Sequence, residues 1–152
     1  MNYWLIKSEP EDFSIDDLKA LFPRTEPWDG VRNYQARNMM RDQMRMGDMA
    51  FFYHSNCKEM GIVGIMEIVR ESYPDYTSWD SDGNHFDPKS TEENPRWFMV
   101  DVKYQRHLSR LISLSELKRY SQLSELPLVK RGNRLSLMPV QSTEWEFILS
   151  IE

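Results

Sequence analysis

The sequence predicts a single α+β domain over residues 1–152, in which short helices accompany β-strands that curve as in a small barrel. Two apolar, β-prone runs at residues 49–54 and 61–69 are separated by a short polar loop, which predicts neighbouring antiparallel strands. Gly61 and Gly64 lie inside the second run, where we expect them to let the sheet curve, as in a small barrel. A chain of this length buries about two-thirds of its unfolded surface without disulfide or metal support.

Three further strands are predicted from β-prone or alternating segments. Residues 3–7 form a short apolar run that ends at the turn-like residues 8–10. Residues 97–104 alternate between two sets of side chains and predict a half-buried strand. Residues 135–140 predict the last strand, and Pro139 places it at a sheet edge because proline has no N–H to donate.

Four helices are predicted, each from a capping residue and the apolar residues that follow it. Ser14 and Asp17 have the spacing of a capping box, in which each side chain bonds the other residue's backbone N–H. The predicted caps and ends are Ser14 for a helix that stops at Pro23, Asn33 for a helix over 34–46 that ends at Gly47, Ser113 for a helix to residue 120, and Ser142 for the closing helix.

The stretch over residues 71–95 shows neither helical nor strand periodicity and contains three prolines. It places five aromatic or histidine side chains among acidic and small residues. Long irregular segments in compact proteins tend to be functional lids or disordered spacers, and the aromatic content favours an ordered lid.

Charge and cysteine content exclude several classes of protein. The net charge of −5 argues against a strongly basic nucleic-acid-binding surface. However, residues 75–95 hold six acids and one base, while residues 103–134 hold eight bases and two acids. A basic face and scattered solvated charge both fit this pattern.

The single cysteine excludes an internal disulfide. The sequence shows no apolar targeting or membrane-spanning segment, so we expect a cytoplasmic protein that does not contact membranes.

The segment from Trp28 to Asn38 combines an aromatic side chain, a tight turn and several amide and guanidinium groups. The Asp29-Gly30 pair predicts the turn, and Asn33 predicts the start of a helix whose unpaired N–H groups favour acceptor-rich ligands. We therefore interpret this segment as one wall of a binding pocket. Arginines recur at every fourth position from residue 37, which fits either a solvated helix face or a ridge that contacts phosphates.

The residue pattern gives little support for a catalytic site, a metal site or a nucleotide-binding loop. His54 and Cys57 are three residues apart, but such spacing does not supply the oxyanion site that a nucleophilic enzyme needs. The three histidines match no metal-ligand spacing, and no phosphate-binding loop or dinucleotide fingerprint is present. We predict no catalytic residue, no metal and no cofactor.

Taken together, five motifs along the chain resemble the motif series of the EVE domain. EVE domains belong to the PUA-like superfamily, together with the YTH domains that bind methylated adenine. The resemblance implies a curved mixed β-barrel flanked by short helices, with an aromatic-lined pocket for a modified base, most often a modified cytosine. The motifs are Lys7-Ser8-Glu9-Pro10, Trp28–Asn38, Phe52–Asn56, Gly61–Gly64 and Arg134–Val140.

The same resemblance implies roles for individual residues. Trp28 matches the tryptophan that forms a cage wall in the YTH relatives, and Trp79 lies in the loop that supplies their second cage aromatic. Other positions match polar segments beside the base, although three of them, at 33, 54 and 55, could instead satisfy turn and cap backbone groups. The predicted base-binding residues are Lys7, Ser8, Glu9, Trp28, Asn33, His54, Ser55 and Trp79. The predicted contacts to a nucleic-acid backbone are Arg32, Arg37, Arg41, Lys130, Arg131 and Arg134.

The leading hypothesis is a non-catalytic module that binds DNA or RNA carrying a modified base, with single strands favoured because flipping a base out of a duplex costs a few kcal/mol. One alternative is an enzyme acting on a nucleobase or nucleotide, with Glu9 as acid or base near the Cys57 loop. The other is a module that binds a small metabolite. The sequence leaves the oligomeric state open.

Overall fold

The computed structural model describes all residues from Met1 to Glu152 and contains a six-stranded mixed sheet with four short α-helices. The α+β class and the flanking helices are therefore confirmed. The strands are β1 (Tyr3–Ser8), β2 (Thr25–Pro27), β3 (Met49–His54), β4 (Gly61–Pro74), β5 (Phe98–Ser113) and β6 (Leu137–Val140). The helices are α1 (Ile15–Ala20), α2 (Tyr34–Asp42), α3 (Leu114–Leu117) and α4 (Ser142–Ile151).

The strand order is β2-β5-β4-β3-β1-β6. Strand β1 pairs in parallel with β3, and every other pair is antiparallel. The sheet does not close into a barrel, because the edge strands β2 and β6 are not neighbours of each other. Strand β6 lies at an edge as Pro139 predicts.

Both faces of the central strands are buried, which explains why they appear in the sequence as continuous apolar runs. Trp4 and Ile6 of β1 point into one apolar cluster with helices α1 and α2, whereas Leu5 points into a second cluster with α3 and α4. In β3, Phe52 points into the first cluster and Phe51 into the second.

Several element boundaries differ from the predictions, and helix α3 ends at Leu117, before residue 120. Helix α2 ends at Asp42, not at residue 46, and the closing helix is capped by Gln141 with Glu144, not by Ser142. Strands β4 and β5 are longer than predicted, because they pair with each other along most of their lengths. Strand β2 was not predicted, since its three residues form a strand only by pairing with β5.

The predicted capping box at Ser14 and Asp17 is present, and Asn33 caps helix α2 by accepting a hydrogen bond from the Ala36 N–H. Ser113 likewise accepts from the Glu116 N–H at the start of α3. These caps satisfy backbone N–H groups that have no partner inside the helix.

The segment between β4 and β5 is ordered around the buried carboxylate of Asp75. Its Oδ2 accepts hydrogen bonds from the Gly30 N–H at 2.9 Å and from Arg32 Nη1 at 3.0 Å. Its Oδ1 accepts from the backbone N–H and the hydroxyl of Thr77. Burial raises the pKa of Asp75, but these bonds outweigh burial and hold the pKa below its ordinary value of 3.8. Asp75 thus ties this segment to the turn after Trp28.

The glycines of β4 permit close backbone approach in addition to the expected curvature. Register shifts occur next to Gly64, on both the β3 and the β5 side, and such bulges bend a sheet. A Cβ atom at Gly64 would lie 2.0 Å from Ile15 Cδ1 and 2.6 Å from the Arg106 carbonyl oxygen. A Cβ at Gly61 would lie 2.4 Å from the Ile112 carbonyl oxygen.

We therefore expect Gly64→Ala to destabilise the protein by about 1–3 kcal/mol, because the Arg106 carbonyl belongs to a paired strand that cannot move freely. Urea denaturation measures the effect. Gly83→Ala is the matched control, because the added Cβ would have no contact shorter than 3.3 Å, the distance to Asp80 Oδ2. Equal denaturation midpoints for the two variants would contradict the steric argument.

Replacing Asp75 by Asn should lower the free energy of unfolding by about 3 kcal/mol, since it leaves the Arg32 guanidinium and the Gly30 N–H without their anion. Because the folded-state pKa of Asp75 is depressed, its contribution is complete above pH 3.8 and is lost as the pH falls through the folded-state pKa. The stability difference between the parent protein and Asp75→Asn should shrink accordingly below pH 3.8. Asp82→Asn, an exposed change in the same segment, is the control and should have no effect.

Candidate functional site

An open cavity of about 670 Å³ lies where the end of β1, the end of β2 and the segment after β4 meet. Its volume falls in the range of sites for small molecules and single nucleotides. The residues that line it are Lys7, Ser8, Glu9, Glu11, Asp12, Phe13, Glu26, Pro27, Trp28, Asp29, Gly30, Asn84 and His85. The structure thus brings together four predicted residues, at positions 7, 8, 9 and 28.

Trp28 is a rigid part of the cavity wall. Its indole packs edge-on against Phe13 and Phe52, with ring centroids 6.1 Å and 5.5 Å away, and its backbone N–H donates to the Val100 carbonyl. Only 9% of the residue is exposed. Most of the ring therefore belongs to the core, and a restricted part of it remains available to a ligand.

The polar residues at the end of β1 are held by local hydrogen bonds. The Ser8 hydroxyl donates to the Phe13 carbonyl at 2.6 Å, so its proton is already used while its oxygen can still accept. Glu9 Oε1 accepts a hydrogen bond from Asn56 Nδ2 at 3.1 Å. Partial burial lowers the pKa of Lys7, whose ammonium lies 5.9 Å from the centre of the Tyr53 ring.

Glu26 and Asp29 are two cavity residues that the sequence analysis missed. Burial raises the pKa of both carboxyls; at Glu26 the neighbouring Asp29 adds to the effect, and at Asp29 the nearby His85 opposes it. Neither side chain accepts a hydrogen bond from another residue. Two half-buried acceptors are therefore free to meet donors on a ligand.

The segment after β4 reaches the cavity through Asn84 and His85. The His85 ring lies directly over Gly30, where an added Cβ would be 2.7 Å from Nε2, and Gly30 also has a φ of +78°. Only glycine satisfies both constraints without strain. The His85 Nδ1 lies 3.8 Å from Asp29 Oδ2. This is the segment expected to form a lid, and it supplies part of the cavity wall.

The remaining predicted base-binding residues lie outside this cavity. Asn33 is exposed and caps α2, and His54 Nε2 accepts from the Ile15 N–H at 3.2 Å while burial lowers its pKa. Ser55 lines a second cavity. Trp79 lines neither of these cavities, and its indole N–H is buried without a hydrogen-bond partner.

Three of the arginines predicted to contact a nucleic-acid backbone, at positions 32, 37 and 41, form hydrogen bonds within the protein. Arg32 bonds Asp75 and the His85 carbonyl, and its guanidinium lies over the ring of Trp97. Arg37 donates to the Arg96 carbonyl and to its neighbour Asn38, and Arg41 pairs with Asp42. Arg37 and Arg41 therefore already have hydrogen-bond partners within the protein, and their contact with a nucleic-acid backbone stays a prediction.

The second cavity, of about 560 Å³, contains two of the other predicted backbone contacts, Lys130 and Arg131. Its lining is Lys7, Tyr53, Ser55, Met60, Leu114, Lys118, Leu128, Val129, Lys130, Arg131, Gly132 and Asn133. Arg134 is exposed and lines neither cavity.

No cluster of three or more His, Cys, Asp or Glu side chains has a metal-binding arrangement. None of the helices combines the length and apolar character needed to cross a bilayer.

Comparison with known proteins supports the motif analysis. The family model described as EVE domain matches residues 2–151. Thymocyte nuclear protein 1 of Mus musculus is 51% identical over 168 residues, an alignment that covers 99% of this chain and 74% of that protein.

Solved structures show the same fold. The crystal structure of human THYN1 protein in complex with 5-methylcytosine-containing DNA is 48% identical, has a TM-score of 0.91, and is matched over 99% of this chain and 97% of that one. A YTH domain from Zygosaccharomyces rouxii, in complex with N6-methyladenosine RNA, shares 12% identity with a TM-score of 0.58 over 99% and 85% of the two chains, a likeness of fold alone. The chain belongs to the EVE domain family.

Proposed function

We propose that this protein is a non-catalytic reader of a modified base, a modified cytosine, in a nucleic acid. The observation that carries the proposal is a cavity that combines Trp28 with two half-buried carboxyls, Glu26 and Asp29, that accept no hydrogen bond from another residue. It is supported by the human relative at 48% identity that was crystallised with 5-methylcytosine-containing DNA. The base enters the first cavity, and the strand remains outside it.

The aromatic part of the site holds the base by contact with Trp28. Base–aromatic stacking contributes about 1–3 kcal/mol and does not distinguish one base from another. The second cage aromatic predicted at Trp79 does not line the cavity, and the other rings in the cavity lining are those of Phe13 and His85. Because Phe13 meets Trp28 at an interplanar angle of 79°, these two rings form a corner, not a pair of parallel plates.

The polar part of the site is suited to a base that carries an exocyclic amine. Cytosine presents the N4 amine as a donor, whereas thymine presents the O4 carbonyl at the same position. A carboxylate only accepts hydrogen bonds, and a protonated carboxyl both donates and accepts. Ionised Glu26 and Asp29 can therefore accept from the cytosine amine but cannot bond the thymine O4. The thymine O4 carbonyl and an ionised carboxylate are both acceptors. When they face each other, neither has a hydrogen-bond donor.

The charge of the cavity also requires that the base, and not the phosphate, enter it. Five carboxyl side chains line the first cavity, and its basic residues are Lys7 and His85. A phosphodiester would be repelled by this lining, so the base has to project away from its backbone. Single strands present a base in this way without the cost of flipping it out of a duplex.

No contact in the structure favours the two alternatives. Glu9, the predicted acid or base of an enzyme, is hydrogen-bonded to Asn56, and Cys57 does not line the cavity. The hypothesis of a small-metabolite site does not explain the neighbouring basic cavity. The cytoplasmic location stays a prediction, while the mouse relative is named as a nuclear protein.

We expect Trp28→Leu to weaken binding of a single-stranded oligonucleotide carrying one 5-methylcytosine by about 5- to 150-fold, the loss of one stacked base. Leucine keeps an apolar side chain in the core. Trp145→Leu is the matched control: Trp145 is equally buried, stacks on Phe51, and lines neither cavity. Fluorescence anisotropy of a labelled oligonucleotide measures both. Binding by Trp28→Leu as tight as that of the control would exclude the first cavity as the base site.

The comparison of 5-methylcytosine with thymine tests the amine, because both bases carry the same methyl group. At one position of the same oligonucleotide, 5-methylcytosine should bind more tightly than thymine by about 5- to 150-fold, corresponding to about 1–3 kcal/mol for an unpaired buried acceptor. Asp29→Leu and Glu26→Leu should each reduce this ratio. The methyl group alone contributes about 0.8 kcal/mol, close to fourfold, in the comparison with cytosine. Equal affinity for 5-methylcytosine and thymine would show that the carboxyls do not select the base.

A further inference from the structure

The second cavity differs from the first in the sign of its charge. Its lining contains four cationic side chains, Lys7, Lys118, Lys130 and Arg131, and no acidic one. Its residues come from the end of β1, the polar loop after β3, helix α3 and the segment before β6, so distant parts of the sequence supply the cations. Lys118 was not predicted as a site residue, since it follows a short helix and resembles any exposed lysine.

Several donors in this cavity have no anionic partner within the protein. Lys118 and Arg131 form no ion pair, whereas Lys130 pairs with the exposed Glu125 at 3.1 Å. Asn133 Oδ1 accepts a hydrogen bond from the Leu135 N–H, but its Nδ2 is buried and has no partner. A buried donor without an acceptor costs free energy, which an acceptor-rich ligand would recover.

The remainder of the lining explains why an anion would be held well here. Met60, Leu114, Leu128 and Val129 supply apolar surface beside the cations, against which a sugar can pack. Burial raises the pKa of Tyr53 to about 12, so its phenol stays protonated and can donate. Partial burial lowers the pKa of Lys7, and an anion beside it would reverse that shift.

The two cavities are adjacent. Lys7 lines both, and the Ser55 N–H of the second cavity donates to the carbonyl of Ser8 in the first, at 3.0 Å. A chain that occupies one cavity therefore reaches the other by passing the side chain of Lys7. The arginines of helix α2 offer no comparable surface, because their guanidiniums bond Asp42, Asn38 and the Arg96 carbonyl.

We propose that the second cavity binds a phosphodiester of the nucleic-acid strand, next to the nucleotide whose base occupies the first cavity. The cations and the Asn133 amide contact the phosphate oxygens, and the apolar residues contact the sugar. The strand thus crosses the protein from an acidic base pocket to a basic phosphate pocket. This inference rests on the proposed function, since the first cavity fixes which phosphate is bound.

The test uses the whole chain and single-stranded oligonucleotides that carry one 5-methylcytosine or one cytosine. In the variant Lys118→Gln with Arg131→Gln, the logarithm of the affinity should depend less steeply on the logarithm of the salt concentration, by about 1.4 in slope for two lost contacts. The preference for 5-methylcytosine should not change. Lys103→Gln with Arg119→Gln removes the same charge from exposed positions that line neither cavity, and should keep the parent slope.

A second measurement locates the phosphate. Uncharged methylphosphonate linkages are placed one at a time along the oligonucleotide, and the side-chain amide resonance of Asn133 is followed by NMR. One linkage beside the modified base should reduce the affinity and abolish the Asn133 shift, while distant linkages should not. If inorganic phosphate shifts this resonance as strongly as the oligonucleotide does, the cavity is a site for free anions and the strand assignment is wrong.

The outcomes separate the two proposals. A salt slope identical to that of the control pair, together with a retained preference for 5-methylcytosine, would overturn the phosphate site and leave the base reader intact. A shallower slope without any preference for a modified base would overturn the base reader while the second cavity still binds the strand.

Discussion

The site depends on one buried carboxylate, that of Asp75. It is fully buried and receives hydrogen bonds from two parts of the chain that are more than forty residues apart, the turn at Gly30 and Arg32 and its own segment at Thr77. Taking a charge out of water is costly, so this carboxylate is stable there only while all its donors are in place. That requirement fixes the His85 segment against the turn after Trp28. Without it, the first cavity would lose one wall.

The distribution of charge follows from the same arrangement. The sequence carries a net charge of −5, and the fold places five carboxyls around one cavity and four cations around the next. At physiological ionic strength charges are screened beyond about 8 Å, so adjacent cavities of opposite sign can act on different parts of one ligand. A nucleotide has such parts, since its base carries donors and its backbone carries negative charge. Net charge alone was therefore a poor guide to what the surface binds.

The sequence was most informative where function and local structure depend on short motifs. The caps at Ser14, Asn33 and Ser113 involve residues three positions apart, and sequence spacing reveals them directly. The wall at Trp28 was predicted from the turn that follows it. Glu26 was missed because β2 forms only through pairing with β5, more than seventy residues away.

The contacts of the arginines within the protein could not be predicted for the same physical reason. The sequence shows that arginines recur on one helix face. It does not show which backbone carbonyl will accept hydrogen bonds from each guanidinium. Arg37 donates to the carbonyl of residue 96, and Arg32 to that of residue 85. The structural constraint on Gly30 by His85 is likewise a contact across fifty-five positions. Long-range contacts of this kind decide which polar groups remain free for a ligand.

Trp28 and the two carboxyls have different roles in the first cavity, because little of Trp28 is exposed. Nine-tenths of the residue is covered by the core, so stacking can hold a base but contributes equally to all bases. Discrimination must come from groups that one base satisfies and another leaves unpaired, and Glu26 and Asp29 are half-buried acceptors in this cavity that take no hydrogen bond from another residue. Burial already raises the cost of leaving them unpaired. In the reader that we propose, the amine of the base, more than its methyl group, therefore selects the pyrimidine.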